Sequence, residues 1–328
     1  MIAQDVAGRY DLEYELGSDA ISTVYQALDR HERLLVSLRL FSAEVSARDS
    51  SARTLTGWAE RHAALQHPNI ARIIGWGVDD ERVYVVSELA PGGSLRSVLS
   101  SSERLNVDRA VAISAEVLDA LQAAHERGFT HGDLRPEQIL FSARGEVKVS
   151  DFGLRSAVRE AGLDGDAGPA GGDAPPEPEA EEASAPNDVR QAAGVLYEML
   201  VGRPPIRATS RRTNLVTSPR LVNSSVPAWL DRVVARALHA DPAQRYLHAA
   251  ALRVALEVPT PAAQARKHAP VHTGPSKLVA VFGGLVRSLS QVLFLLLPAV
   301  AAGIVVALVA TVLWLVLALG WIHIPGVN

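Results

Sequence analysis

The spacing of apolar positions changes character once along the chain. Before about residue 88 they alternate or bunch in short runs, and beyond residue 91 they recur every three or four positions. Tyr10-Asp11-Leu12 enters a strand, Thr23 to Leu28 and Leu34 to Leu40 alternate or run apolar, and Val83-Tyr84-Val85-Val86 forms another β-run. One helix is predicted among them, from about Ser50 to Leu65. Pro91-Gly92-Gly93 then breaks the pattern. Val107, Val111, Ser114, Val117, Leu118 and Leu121 share one face of a core-facing helix. Ile139-Leu140-Phe141 and Val147-Lys148-Val149 bracket a turn at Arg144-Gly145. Helical periodicity returns over Asp188 to Leu200 and Trp229 to Leu256. Residues 157–187 are Ala, Gly, Pro and acid without an apolar period, and predict a mobile loop. No internal repeat is visible.

The C-terminal pattern is different again. From Ser288 to Ile322 no residue is charged, and most are Leu, Val or Ala. A membrane span needs about 20 apolar residues, so this stretch predicts one transmembrane helix within 291–320, centred on Leu295 to Leu319. Lys267, Lys277 and Arg287 precede it and no Lys or Arg follows, which places the preceding domain in the cytoplasm. A Pro/Ala-rich linker leads to the span from residue 258, and a short tail, 321–328, is left on the far side. Ala299, Gly303, Ala307 and Thr311 lie four apart on one helix face, a spacing that would let two spans approach closely as a homodimer.

Composition narrows the function classes. The chain has 328 residues, a net charge of -4 with both signs interspersed, and no cysteine. Disulfides and thiolate metal sites are excluded, and no basic field points to a nucleic-acid partner. The N-terminal residues lack the apolar core of a signal peptide.

Three short motifs occur in order: His131-Gly132-Asp133-Leu134-Arg135-Pro136-Glu137-Gln138, then Asp151-Phe152-Gly153, then Asp188-Val189 ahead of Gly194-Val195-Leu196-Tyr197-Glu198. With these the chain resembles the bacterial serine/threonine protein kinases over roughly Arg9 to Glu257. Leu16-Gly17 and Val24-Tyr25-Gln26-Ala27 match the phosphate-loop strand pair, and His67-Pro68-Asn69-Ile70 the stretch after the regulatory helix. Glu88-Leu89-Ala90 match the hinge, Ala174-Pro175-Pro176-Glu177 the end of the activation segment, and Arg245 the late arginine that pairs with that glutamate. The resemblance implies an α+β, two-lobed protein-kinase-like fold followed by the transmembrane helix. Its lobes would span 1–89 and 90–257, with a juxtamembrane linker over 258–290. It places the proton-accepting base at Asp133 beside Arg135, and a Mg²⁺ ligand at Asp151 with Gln138 as the second. Nucleotide contacts fall to Gly17, Val24, Arg39, Glu88, Ala90, Gln138 and Leu140, and Asp188 braces the catalytic loop.

The motif set departs from the family at several positions. The glycine loop reads Gly17-Ser18-Asp19-Ala20-Ile21-Ser22, keeping one glycine and adding a carboxylate where phosphates approach. Even ~1 kcal/mol of repulsion there costs several-fold in affinity. The phosphate lysine is Arg39, a planar fork in place of a compact ammonium. Counting back from His67 without a gap, its helix partner glutamate is Trp58; Glu60 lies about 200° away around the helix. Gln138 replaces Asn, Arg135 replaces Lys, and Gly132 replaces the arginine that reads loop phosphate. Residues 157–183 contain no Ser, Thr or Tyr to accept one. The expectation is a membrane-tethered pseudokinase or very weak kinase, a regulatory scaffold holding ATP and Mg²⁺ weakly, with an unidentified protein partner or substrate. The alternatives are a divergent active Ser/Thr kinase and an adaptor that binds no nucleotide.

Overall fold

The computed structural model describes residues 5–163, 183–205 and 216–257. The N-terminal part builds β1 (Asp5–Val6), β2 (Tyr10–Ser18), β3 (Ser22–Asp29) and β4 (Leu34–Phe41). A short α1 (Ala43–Ser46) and the longer α2 (Asp49–Ala63) follow, then β5 (Ile73–Asp79) and β6 (Arg82–Glu88). The strands form one antiparallel sheet in the order β1-β2-β3-β4-β6-β5. Its register sets Val24 opposite Arg39, and Arg39 opposite Val85. Directly opposed residues project to the same face, so Val24 and Arg39 share the face over the cleft. The helix predicted from about Ser50 to Leu65 is α2, and β5 is a strand the apolar pattern does not announce, because Gly75 and Gly77 dilute it.

Beyond the breaker the chain is mostly helical. α3 (Leu95–Ser101) and α4 (Val107–His125) precede the hairpin of β7 (Ile139–Phe141) and β8 (Val147–Val149). Then come α5 (Leu154–Glu160), α6 (Ala185–Val201), α7 (Pro219–Val222), α8 (Ala228–Ala237) and α9 (Ala249–Ala255). Side-chain oxygens cap three of these helices: Ser94 accepts from Ser97 N, Asn106 from Arg109 N and Ser184 from Asn187 N. Val117, Leu118 and Leu121 of α4 pack with Leu196, Met199 and Leu200 of α6 in the core of this lobe, and burying each such side chain is worth about 1.5–3 kcal/mol. α6 ends at Gly202, whose φ is 86° and where a Cβ would lie 1.9 Å from the Glu103 carbonyl oxygen, so glycine is required.

The predicted loop over 157–187 is helical at both ends. α5 takes up its start and α6 begins at Ala185. Ala157 and Val158 of α5, with Leu163 beyond it, bury against Leu55, Trp58 and Ala59 of α2. Three apolar residues were too few to register as a period in the sequence. The middle of that stretch, with Ala174 to Glu177, lies outside the described residues, as does the whole of the predicted span at 291–320. Among the described residues no helix is long and apolar enough to cross a membrane.

Candidate active site

The floor of the cleft is held by one buried carboxylate. Asp188, in the first turn of α6 and 0% exposed, accepts from the backbone N–H of His131 (2.7 Å) and of Gly132 (2.8 Å), and meets His125 Nε2 at 2.8 Å. Gln191, one turn further along α6, accepts from Leu134 N (2.9 Å) and donates to the Gly132 carbonyl (3.2 Å). The catalytic loop is thereby fixed at four backbone groups. The His131 ring packs 4.9 Å from the Phe152 ring, and burial pushes its pKa down. Asp133 lies on this loop with Oδ2 shared between Arg135 (2.8 Å) and Arg155 of α5 (3.7 Å).

The roof is closed by contacts that the family motifs do not call for. Asp19 Oδ1 accepts from Ile21 N (3.0 Å), Ser22 N (2.7 Å) and Ser22 Oγ (3.0 Å), folding the loop onto its own backbone amides. Asp19 Oδ2 pairs with Arg39 Nη1 at 3.2 Å. The expected carboxylate beside the phosphates is therefore already matched to a cation. Arg39, 15% exposed, also donates to Ser22 Oγ (2.8 Å) and pairs through Nη2 with Asp151 Oδ2 at 2.8 Å. One guanidinium thus ties the glycine-loop position to the metal position, two points that begin 132 residues apart in sequence.

Trp58 occupies the place where an ion-pair partner for Arg39 was sought. It is 3% exposed and its Nε1 donates to the Phe152 carbonyl at 2.7 Å, while Glu60 is on the exposed side of α2. Next to it on α2, His62 is buried 5.8 Å from the Trp58 ring and 6.1 Å from the Phe152 ring. Neither of its ring nitrogens has a hydrogen-bond partner, and burial pushes its pKa down to about 4.

The other assigned residues fall as follows. Gly17 is paired with Val24 across β2 and β3, and Val24 and Leu140 are half-buried. The Glu88 carboxylate takes Lys148 Nζ (2.9 Å) and Arg72 N (3.1 Å), and the Ala90 carbonyl accepts from Gly93 N at 3.4 Å. Gln138 Oε1 accepts from Arg135 N at 3.0 Å, so its amide oxygen caps the Pro136–Gln138 turn. Arg245 donates to the His239 (2.7 Å) and Ala240 (3.1 Å) carbonyls; Glu177, its expected partner, is outside the described residues. No group of three or more His, Cys, Asp or Glu among the described residues is arranged to hold a metal ion. A hard cation needs oxygen ligands free to face it. Asp151 gives one oxygen to Arg39 and Gln138 gives its own to a backbone amide, so the donor set as arranged is a weakened one for Mg²⁺. Ser22, Arg155 and the Phe152 carbonyl complete the site. Phe152 lies in the Asp151-Phe152-Gly153 motif and Ser22 follows an Asp by three residues in a loop, while Arg155 left no sequence trace.

Comparison with known proteins agrees with this geometry. The family model described as "Protein kinase domain" matches residues 10–255. Mouse Aurora kinase C is 33% identical over 72% of this chain and 87% of its own. Serine/threonine-protein kinase PknD of Mycobacterium tuberculosis is 32% identical over 76% of this chain and 39% of its own. A probable serine/threonine-protein kinase of Streptomyces coelicolor is 28% identical over 77% of this chain and 40% of its own. The chain spans about two fifths of the length of these bacterial relatives. Among solved structures, the kinase domain of Mycobacterium tuberculosis PknI superposes with a TM-score of 0.61 at 23% identity, over 78% of this chain and 97% of that one.

Proposed function

We propose that this chain, which belongs to the protein kinase family, is a membrane-tethered pseudokinase: a regulatory scaffold that transfers phosphate at no more than background and holds ATP weakly in its cleft. Protein kinases transfer the ATP γ-phosphate by fixing it between a lysine, a helix glutamate and Mg²⁺. The observation that carries the proposal is Arg39, engaged at 2.8 Å by Asp151 and at 3.2 Å by Asp19 while Trp58 stands at the glutamate position. A single well-placed electrostatic contact is typically worth ~10²–10³ in rate, and several are redirected here. The apolar stretch at 291–320 and the cations before it support a single span with the kinase-like domain on the cytoplasmic side, and the small-residue face from Ala299 to Thr311 supports a homodimer.

The test is phosphate transfer by the detergent-solubilised full chain to itself and to a generic protein substrate, with Asp133→Asn beside it. The expected signal is background for both. Transfer by the unmodified chain that Asp133→Asn abolishes would establish the second reading, a divergent active Ser/Thr kinase. That reading is favoured by one observation, the retention of Asp133 on a loop braced by Asp188.

A further inference from the structure

We infer that the cleft recognises the nucleoside part of its ligand and is indifferent to the phosphates, so that uncharged adenosine binds at least as tightly as Mg-ATP. This rests on the reading above that the cleft takes an adenine ligand, and it names the part of that ligand which is read. The phosphate end of the cleft is occupied by a clasp of the protein's own charges, Asp19, Arg39 and Asp151, held at 3.2 Å and 2.8 Å. One guanidinium serves two carboxylates, leaving the clasp with a charge of about -1. The next charges are Asp133 with Arg135 and Arg155, which are themselves paired at 2.8 Å and 3.7 Å. Across these six residues the carboxylates and guanidiniums balance, so none of these three cations is in surplus for an incoming phosphate chain.

Mg²⁺ does not reverse the balance. To reach Asp151 Oδ2 it must compete with Arg39, and Mg-ATP still carries about two negative charges towards Asp19. The backbone is closed to phosphates as well. In a glycine-rich loop the amides point at the ligand, whereas here the amides of Ile21 and Ser22 donate to Asp19 Oδ1 at 3.0 Å and 2.7 Å. The adenine end differs. Val24 and Leu140 are half-buried apolar residues, and the clasp's ion pairs involve neither them nor the hinge backbone from Glu88 to Ala90, although Arg39 lies opposite Val24 in the sheet. The ligand's free energy then comes from ring burial and hinge hydrogen bonds, terms that adenosine and ATP share.

The experiment measures dissociation constants of adenosine and of Mg-ATP by calorimetry on the detergent-solubilised full chain and on Asp19→Asn. The amide keeps the acceptor that Ile21 and Ser22 need and removes one of the two charges that hold Arg39. For the unmodified chain, adenosine is expected to bind as tightly as Mg-ATP or tighter. For Asp19→Asn, Mg-ATP is expected to gain roughly fivefold to tenfold and adenosine to change less than about twofold. Mg-ATP binding the unmodified chain ten times tighter than adenosine would overturn the inference and leave the scaffold reading standing. An unchanged ratio in Asp19→Asn would overturn the clasp as its cause. No binding of either ligand at millimolar concentration would overturn this inference together with the nucleotide part of the proposed function.

Discussion

Below the cleft, Asp188 and Gln191 hold the catalytic loop by its backbone; above it, Arg39 pairs with Asp19 and Asp151, and Trp58 donates to the Phe152 carbonyl. The two walls are held in different ways. The floor is braced through backbone groups, with Gly132 and Arg135 on the loop that Asp188 and Gln191 hold. The roof is held through side chains paired with one another and with the Phe152 carbonyl. Asp19 supplies three hydrogen-bond acceptances and one ion pair, and Trp58 satisfies a backbone carbonyl. A buried polar group left unpaired costs about 1–3 kcal/mol. The roof's polar groups named above are paired within the protein, and His62 is the exception.

The comparison breaks most visibly at Asp188. Replacing it by Ala leaves two buried backbone amides and a histidine without their acceptor, and is expected to cost about 3–5 kcal/mol in urea unfolding of the full chain in detergent. A loss below about 1 kcal/mol would mean that the floor does not depend on this carboxylate.

The roof's exception gives the next effect. His62 titrates near 4 in the folded chain against about 6.5 when unfolded, so the unfolded state binds the extra proton between those values. Stability from this residue is complete above about pH 6.5 and is lost as pH falls towards 4, amounting to about 2 kcal/mol between pH 6.5 and 5. The groups around it act in opposite senses, Asp151 raising its pKa and His131 lowering it, and burial outweighs both. His131 is pushed the same way by burial and adds to the slope. His62→Leu should be more stable at pH 5 and show a shallower pH dependence in thermal unfolding followed from pH 7 to 5. An unchanged slope would place the titration elsewhere.

The smallest expected effect sharpens the claim that Trp58 is structural. Trp58→Phe keeps most of the ring and removes the donor to the Phe152 carbonyl, for a loss of about 1–2 kcal/mol. Phosphate transfer should stay at background in this variant. A gain in transfer would show that the indole suppresses chemistry instead of holding α2 to the Phe152 backbone.

Much of this molecule was legible before any coordinates. The two lobes follow from the change of apolar period near Pro91, and α2, α4 and α6 carry enough turns for their faces to stand out. The count from His67 back to Trp58 lands on a residue that α2 buries against the Phe152 backbone. What stayed hidden was short or borrowed. α5 has seven residues and is helical because α2 buries its apolar side, a tertiary cause that leaves little local trace. β5 is diluted by two glycines. The partners of Asp19 and Arg39 come together only when β4 brings its middle over the Asp151 turn, and charge type alone could not tell a repelled phosphate from a paired arginine.

The contacts from Arg39 to Asp151 and from Trp58 to Phe152 join residues 112 and 94 positions apart, and both run from the sheet side of the cleft to the helical side. In an enzyme that opens and closes on each turnover such ties would be an obstruction. On the proposed scaffold reading they would be an asset. A partner that touched both lobes would find them already tied and would forfeit little conformational entropy in docking. A scaffold of that kind would inform the cell through its abundance more than through a change of shape.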